Sequence, residues 1–282
     1  MAGVSSKEIK LRIKSMESTK QITRAMEMVA SSKLRHAQDR VLHSRPYFET
    51  LYKTIMDITE STQGLSSPYL THREVKRSCY VVIAGDRGLA GGYNSNVLKM
   101  VYGEMAGKDA CVLPVGKKAV EFFRARQVPM VTEAYAEAAE LSISDCFTLA
   151  KALARSYLNE EFDEVILGYT NFVSVLSQTP STLRLLPLLH EQTSEPIRES
   201  SAIYDPDPRT VFDTIIPEYL GGVVYGALCE SVASELAARR TAMDAATKNA
   251  EDMIEDLSLK YNRARQGAIT QEITEIVAGA EA

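Results

Sequence analysis

The stretch KQITRAMEMVASSKLRHAQ, Lys20 to Gln38, contains neither Gly nor Pro and carries a positive charge every few residues. Its wider setting is the same: from Val4 to Gln63 there is no Gly, and Pro46 is the single proline. Such a run predicts one long helix, with Pro46 as the place for a kink or break. Apolar residues step by four and three in three sets. These are Ile9, Ile13 and Met16; Ile22, Met26 and Val29; and Ala30, Leu34, Ala37 and Val41. The sets are out of phase with one another, so the expected seam is narrow and drifts around the helix.

A helix this lean needs a partner, and the other end of the chain supplies one. After Asp205-Pro206-Asp207-Pro208 the pattern is helical nearly to the terminus, with Leu236, Met243, Ala250, Leu257 and Ala264 at intervals of seven. Val232, Ala246 and Met253 are the expected intermediate seam positions, giving a coiled-coil repeat of about four heptads. Gly221, Gly222 and Gly226 each cost about 1 kcal/mol relative to alanine in a helix. The first turns are therefore expected to bend or break, with regular helix after them.

Charge agrees with a paired arrangement. Residues 1–45 carry ten bases and four acids, whereas residues 213–282 carry six bases and twelve acids. Plus six faces minus six, as neighbouring coiled-coil strands often do. An acidic helix against the basic one disfavours a DNA-reading arm, because phosphates would have to displace it.

Between the helices, strand and helix signals alternate. Strands are predicted at 78–86, 111–116 and 164–170, with helices at 94–105, after 116 to about 126, and at 142–158 capped by Ser142 or Ser144. The run FVSVLSQTPSTLRLLPL reads as a pair of strands turning around Thr179-Pro180. The fold expected is α/β: a long antiparallel two-helix coiled coil formed by the N- and C-terminal segments, with an inserted Rossmann-like domain. The expected divisions are 1–62, 63–207 and 208–282. If facing residues sum to roughly 267, about sixteen C-terminal helical residues project alone, roughly 25 Å at 1.5 Å per residue.

Composition excludes several classes. A chain of 282 residues with 45% hydrophobic content and a formal charge of -5 can bury a core and is a poor overall match to nucleic acid. No run approaches the roughly 18 apolar residues of a membrane span, and the N-terminus MAGVSSKEIK has no signal core. Cys79, Cys111, Cys146 and Cys229 are widely spaced and read as buried thiols. The four histidines show no metal-ligand spacing, so no metal or cofactor is expected.

The loop GDRGLAGGYNSN, Gly85 to Asn96, is the strongest enzyme signal, since glycines between a strand and a helix could aim N–H groups at a phosphate. Its spacing fits neither GxGxxG nor GxxxxGK[ST], and no lysine follows within the loop. A structural turn, with Asp86 and Arg87 as a loop ion pair, is the favoured reading. No catalytic constellation assembles.

Three motifs carry a resemblance: ITRAMEMVASSKLRHAQ, GDRGLAGGYNSN and the closing KYNRARQGAITQEITEIVAGA. In order and separation they resemble the gamma subunit of F-type ATP synthases, over essentially the whole chain. The resemblance implies a non-catalytic central rotor within a ring of three alpha and three beta subunits. It also implies epsilon and a ring of c subunits as partners, with the membrane reached only through that ring. Its place would be the cytoplasmic face of a bacterial plasma membrane, coupling proton or sodium flow to ATP synthesis or hydrolysis.

Residue by residue, it implies that Arg265, Gln266, Thr270 and Glu275, and lower down Met26, Arg239 and Arg240, contact beta. Ile269, Ile273, Ile276 and Val277 would form an apolar bearing tip, with Tyr204 and Asp205 as the foot toward epsilon and the c ring. Ala90 replaces the cysteine of many relatives. With no cysteine-bearing insertion between Leu188 and Ile203, the light-controlled thiol switch of chloroplast relatives is expected to be absent. Two other readings stay open at this point: an α/β enzyme with a coiled-coil arm, and a structural coiled-coil adaptor.

Overall fold

The structure is a computed structural model that describes all residues except 1–5, 63, 64, 72, 135, 189–202, 281 and 282. The expected absence of an insertion between Leu188 and Ile203 concerns a segment that lies almost wholly outside the described residues. In chain order the elements are α1 (Ser6–Ser61), β1 (Arg77–Ile83), α2 (Tyr93–Glu104), β2 (Asp109–Val115), α3 (Lys117–Arg124), α4 (Ile143–Leu158), β3 (Glu164–Phe172), β4 (Gln178–Leu186) and α5 (Pro208–Ala280). The chain divides into two compact units, 1–31 with 239–282, and 32–238, so each terminal helix is shared between them.

In the unit of 32–238, four strands lie in the order β2-β1-β3-β4. β1 pairs parallel with both β2 and β3, while β4 returns antiparallel along β3. Alternation of side chains sends two sets of residues to opposite faces. Tyr80, Val82, Val112 and Ile166 pack with Val97 and Val101 of α2 and Phe123 of α3. Cys79, Val81, Cys111, Val165 and Leu167 pack with Ala150, Leu153 and Tyr157 of α4, Ile55 and Ile58 of α1, and Phe212 and Ile216 of α5. A sheet covered on both faces explains the continuous apolar run of β1.

Local chemistry sets the ends. Ser142 and Asp145 form a reciprocal capping box: the Ser142 hydroxyl accepts from Asp145 N, and the Asp145 carboxylate accepts from Ser142 N at 2.8 Å. Asp207 accepts from Thr210 N at 2.9 Å, and Pro208 occupies the first helical position of α5, where no N–H is needed.

Four expectations are corrected. The hairpin turn lies before β4, at 173–177, and Thr179 and Pro180 lie within β4, opposite Asn171 and Thr170. Pro is tolerated there because β4 is an edge strand. Pro46 does not end α1.

Gly221 and Gly222 do not break α5 either. A Cβ on Gly221 would come within 2.2 Å of the Phe147 ring, and one on Gly222 within 2.2 Å of the Phe48 ring. These glycines let two aromatic side chains lie directly on the helix backbone. The fourth correction concerns Asp86: its two carboxylate oxygens accept from Lys117 N at 2.9 Å and Ala138 N at 3.0 Å, so it clamps two loops rather than pairing with Arg87.

Gly221→Ala is expected to lower stability by about 1–3 kcal/mol through overpacking. Gly226→Ala, where nothing lies within 4 Å of the added methyl, should raise it by up to about 1 kcal/mol. Urea unfolding of the two variants against the parent checks both signs.

Candidate functional site

In the unit of 1–31 and 239–282, two helices pair along a regular seam. Ile9, Thr23 and Ala30 are buried, and Ile13, Met16, Lys20 and Glu27 are half-buried. Together they keep an unbroken four-and-three step. The first and third apolar sets are therefore in phase after all, bridged by the polar residues Lys20, Thr23 and Glu27. The middle set is what leaves the seam: Ile22 and Val29 are 58% and 55% exposed, with Met26 half-buried between them.

On the C-terminal strand the heptad positions Met243 and Ala250 are buried and Leu257 and Ala264 half-buried. Of the expected intermediate positions, Val232 and Ala246 are half-buried, and Met253 is corrected. Arg240, Thr247, Ile254 and Tyr261 lie on the seam, whereas Met253 is exposed.

Sequence periodicity missed this because the true second set, Ile254 apart, is polar or aromatic. Thr23 Oγ1 and Thr247 Oγ1 hydrogen-bond at 2.7 Å inside the seam. Two hydroxyl protons serve three contacts: the hydroxyl that accepts in this pair donates its own proton to a carbonyl of its helix, Lys20 O for Thr23 or Met243 O for Thr247. A satisfied polar layer of this kind fixes register at little cost.

Lys20 Nζ meets Glu251 at 2.9 Å, and this hydrogen bond, with the ammonium charge behind it, holds the Glu251 carboxyl below its ordinary range. Facing residues thus sum to 270 or 271 rather than 267. The shift is about one helical turn.

From Arg265 to Gly279 every residue is exposed. Ile269, Ile273, Ile276 and Val277, 47–65% exposed, fall within roughly a third of the helix circumference at 3.6 residues per turn. Gln266 and Thr270 share that side, with Thr270 Oγ1 bonding the Gln266 carbonyl at 3.0 Å. Arg265 lies at its other edge. Glu275 lies away from the stripe and accepts from Gln271 Nε2 at 2.9 Å. Arg239 and Arg240 are half-buried near the other end of this unit. This unit therefore presents two exposed apolar stripes, one on α1 around Met26 and one at the C-terminal end of α5. Ile22 and Val29 belong with Met26, and their phase slip was the signal for it.

In the unit of 32–238, the crevice where open α/β sheets take ligands lies over the carboxyl ends of the strands. Here α5 crosses it. Ser231 Oγ accepts from Thr170 N at 3.2 Å, and Ser234 Oγ donates to Thr170 O at 3.3 Å. The buried Glu235 lies so close to Gly85 that a Cβ there would meet its carboxylate at 2.6 Å. The glycine-rich loop is tied inward, with Gly85 N donating to Asn94 Oδ1 at 2.8 Å and Asn94 Nδ2 to Arg87 O at 3.2 Å. The Glu235 side chain occupies the space over Gly85 that a phosphate on the loop would need.

Tyr204 is half-buried, its hydroxyl donating to Asp57 at 2.6 Å, while Asp205 is exposed. All four thiols are buried, and burial pushes Cys146 up to about 12. Among the described residues no group of His, Cys, Asp or Glu could hold a metal ion, and no helix is long and apolar enough to cross a membrane.

Comparison with known proteins bears on both units. A family model described as ATP synthase matches residues 5–282. The ATP synthase gamma chain of Alkaliphilus metalliredigens is 46% identical, with 99% of each chain covered. The sodium ion specific ATP synthase gamma chain of Acetobacterium woodii is 41% identical, covering 98% of this chain and 97% of that one.

Among solved structures, a chain of the rotor of the Euglena gracilis mitochondrial ATP synthase matches with a TM-score of 0.68 at 18% identity, covering 94% of this chain and 98% of that chain. A chain of the central stalk and c ring of the Tetrahymena thermophila enzyme matches at 0.62 and 22%, covering 80% and 99%. At these identities the structures establish likeness of fold.

With the crevice filled by α5 and a carboxylate beside the glycines, ATP should bind the isolated chain no tighter than about 1 mM. Titration calorimetry showing a micromolar site would overturn this.

Proposed function

This chain belongs to the ATP synthase gamma-chain family, and from that premise we propose that it is the central shaft of a bacterial F-type synthase. On this reading it turns within three alpha and three beta subunits and stands, through epsilon and the c ring, on the cytoplasmic face of the plasma membrane. It performs no chemistry. Rotation of its asymmetric surface makes the three beta sites differ in nucleotide affinity, and so couples proton or sodium flow to ATP synthesis or hydrolysis.

The observation that carries the reading is the fully exposed C-terminal helix from Arg265, with its apolar stripe of Ile269, Ile273, Ile276 and Val277. An exposed apolar stripe of this kind marks a surface made for a partner. We assign that partner as the collar of the alpha and beta ring, which forms a low-friction bearing for an apolar tip. Arg265, Gln266, Thr270 and Glu275 would touch beta just below. Further down, Met26, flanked by Ile22 and Val29, and the half-buried Arg239 and Arg240 would take the push of beta when its site closes. The foot is Tyr204 and Asp205. With the Tyr204 hydroxyl engaged by Asp57, Asp205 is the group left exposed toward epsilon and the c ring.

The three divisions 1–62, 63–207 and 208–282 fit this mechanical role, with the first and last as shaft and the middle as the body that the c ring turns. A shaft must resist twisting along its seam and slide on its outside. The Thr23–Thr247 layer and the Lys20–Glu251 pair serve the first need. An outer face rich in solvated charge serves the second.

Removing residues from Gln271 onward tests the reading in the assembled complex. The seam from Leu236 to Ala264 is untouched, so folding and assembly should persist. Contacts of Ile273, Ile276 and Val277 are lost, each contributing about 1.5–3 kcal/mol when fully buried. Single-molecule rotation should show lower torque or more pausing, and ATP-driven ion pumping should fall more than ATP hydrolysis. Full torque and full coupling in the truncated complex would sink the bearing.

A further inference from the structure

Ser231, Ser234 and Glu235 stand three and four positions apart on α5, which puts them on one face of the helix. All three are buried, the two serines completely. Serine suits a helix interior less well than alanine, and a hydroxyl taken out of water costs stability unless it is bonded. Alanine already occupies the neighbouring buried positions Ala227, Ala233 and Ala237. Packing alone therefore does not call for serine at these two places.

This polar face meets the ends of the two central strands. β1 stops pairing with β3 at Val82, opposite Gly168. Two residues further along β3, Thr170 N donates to Ser231 Oγ at 3.2 Å and Thr170 O accepts from Ser234 Oγ at 3.3 Å. Beyond the end of β1, the Glu235 side chain lies over Gly85. Three residues of helix rise about 4.5 Å, so one residue of β3 is gripped at two points along α5. A helix turned by one position about its axis would bring Val232 and Glu235 to those points. Valine has no hydroxyl, and a carboxylate cannot donate to the Thr170 carbonyl.

The contacts around this seat resist such a turn less well. Ala37, Ala233 and Ala237 pack with Phe172 and Val175 of the β3–β4 hairpin. Apolar burial opposes separation but has no preferred direction. Hydrogen bonds have one, and weaken steeply as they bend. The seat lies within about one turn of residue 238, where this unit ends and α5 continues into the other.

We propose that Ser231 and Ser234, on the rotor reading above, are positioning residues for torque: they lock the rotation of α5 to the sheet, so that a turn of the body reaches the helix without slip. Two hydroxyls on one strand residue thus supply torsional stiffness where the shaft leaves the body.

The test uses the assembled complex, with the alpha and beta subunits fixed to a surface and a bead on the body through Lys99→Cys, an exposed position. The four native thiols are buried and leave that label specific. During the pauses between steps at limiting ATP, the spread of bead angles reports the torsional stiffness of the rotor. Ser231→Ala combined with Ser234→Ala should at least about double the angular variance, because both bonds that fix the rotation of the helix are lost together. Ser234→Ala alone should raise it by less, and is the variant read where the pair does not assemble. Val224→Ala, at a buried position about two turns earlier in α5, lowers stability without touching the seat and should leave the variance unchanged.

Serine variants as stiff as the parent overturn the proposal, and so does an equal broadening in Val224→Ala, which would make the serines ordinary core residues. Failure of Ser234→Ala to assemble also overturns it, because folding and not rotation would then depend on the hydroxyl. A parent complex whose bead never turns on ATP overturns the rotor reading, and the torque seat with it.

Discussion

The close approach of aromatic rings to the backbone of α5 is the contact on which the unit of 32–238 depends. Phe147 of α4 lies on Gly221 and Phe48 of α1 on Gly222. Any side chain at either glycine would push one element away and open the large core beneath it, where Ile58, Phe212 and Ile216 are fully buried. That geometry also brings the next turns of α5 across the strand ends, where Ser231 and Ser234 bond the backbone N–H and carbonyl of Thr170. A helix packed this closely lies across the strand ends where open α/β sheets take ligands. One local choice of residue thus fixes the body to a helix.

Most of the fold was legible because its signals are periodic or chemical. The run of β1, the Ser142 cap and the alternation of strands and helices follow from burial on both sheet faces and from the hydrogen-bond demand of helix ends. The glycines were misjudged because propensity counts only what a glycine costs locally. It is blind to a ring arriving from another element. Thr179-Pro180 reads as a turn because Pro is a strong turn signal, yet an edge strand tolerates it where its missing N–H faces no partner.

The candidate site was legible in part. The apolar stripe at Ile269, Ile273, Ile276 and Val277 could be read from spacing, since a pattern that outlasts its partner helix must be exposed. The seam itself was harder. An alternation carried by Lys20, Thr23, Glu27 and Thr247 has no hydrophobic signature, so the eye follows Ile22, Met26 and Val29 instead and concludes that the seam drifts. The side chains that deviate from the seam are those left facing outward, where a partner can reach them. Burial separates the two roles where periodicity confounds them.

A seam built this way has its own logic. Alanine and threonine bury little area, so each layer contributes less than a leucine layer would. Two helices joined by thin layers come close together and make a slender rod. Register, which apolar contacts alone define weakly, is set by the hydroxyl pair of Thr23 and Thr247 and the Lys20–Glu251 ion pair. Beyond Ala264 the single helix continues without tertiary support. A free helix of that length would be marginal in water, but this one extends from a strand already nucleated by the coiled coil. Its apolar stripe adds nothing to the stability of the isolated chain. Selection for the fold alone would have replaced those isoleucines with charge, and their presence is the physical case for a socket that receives them.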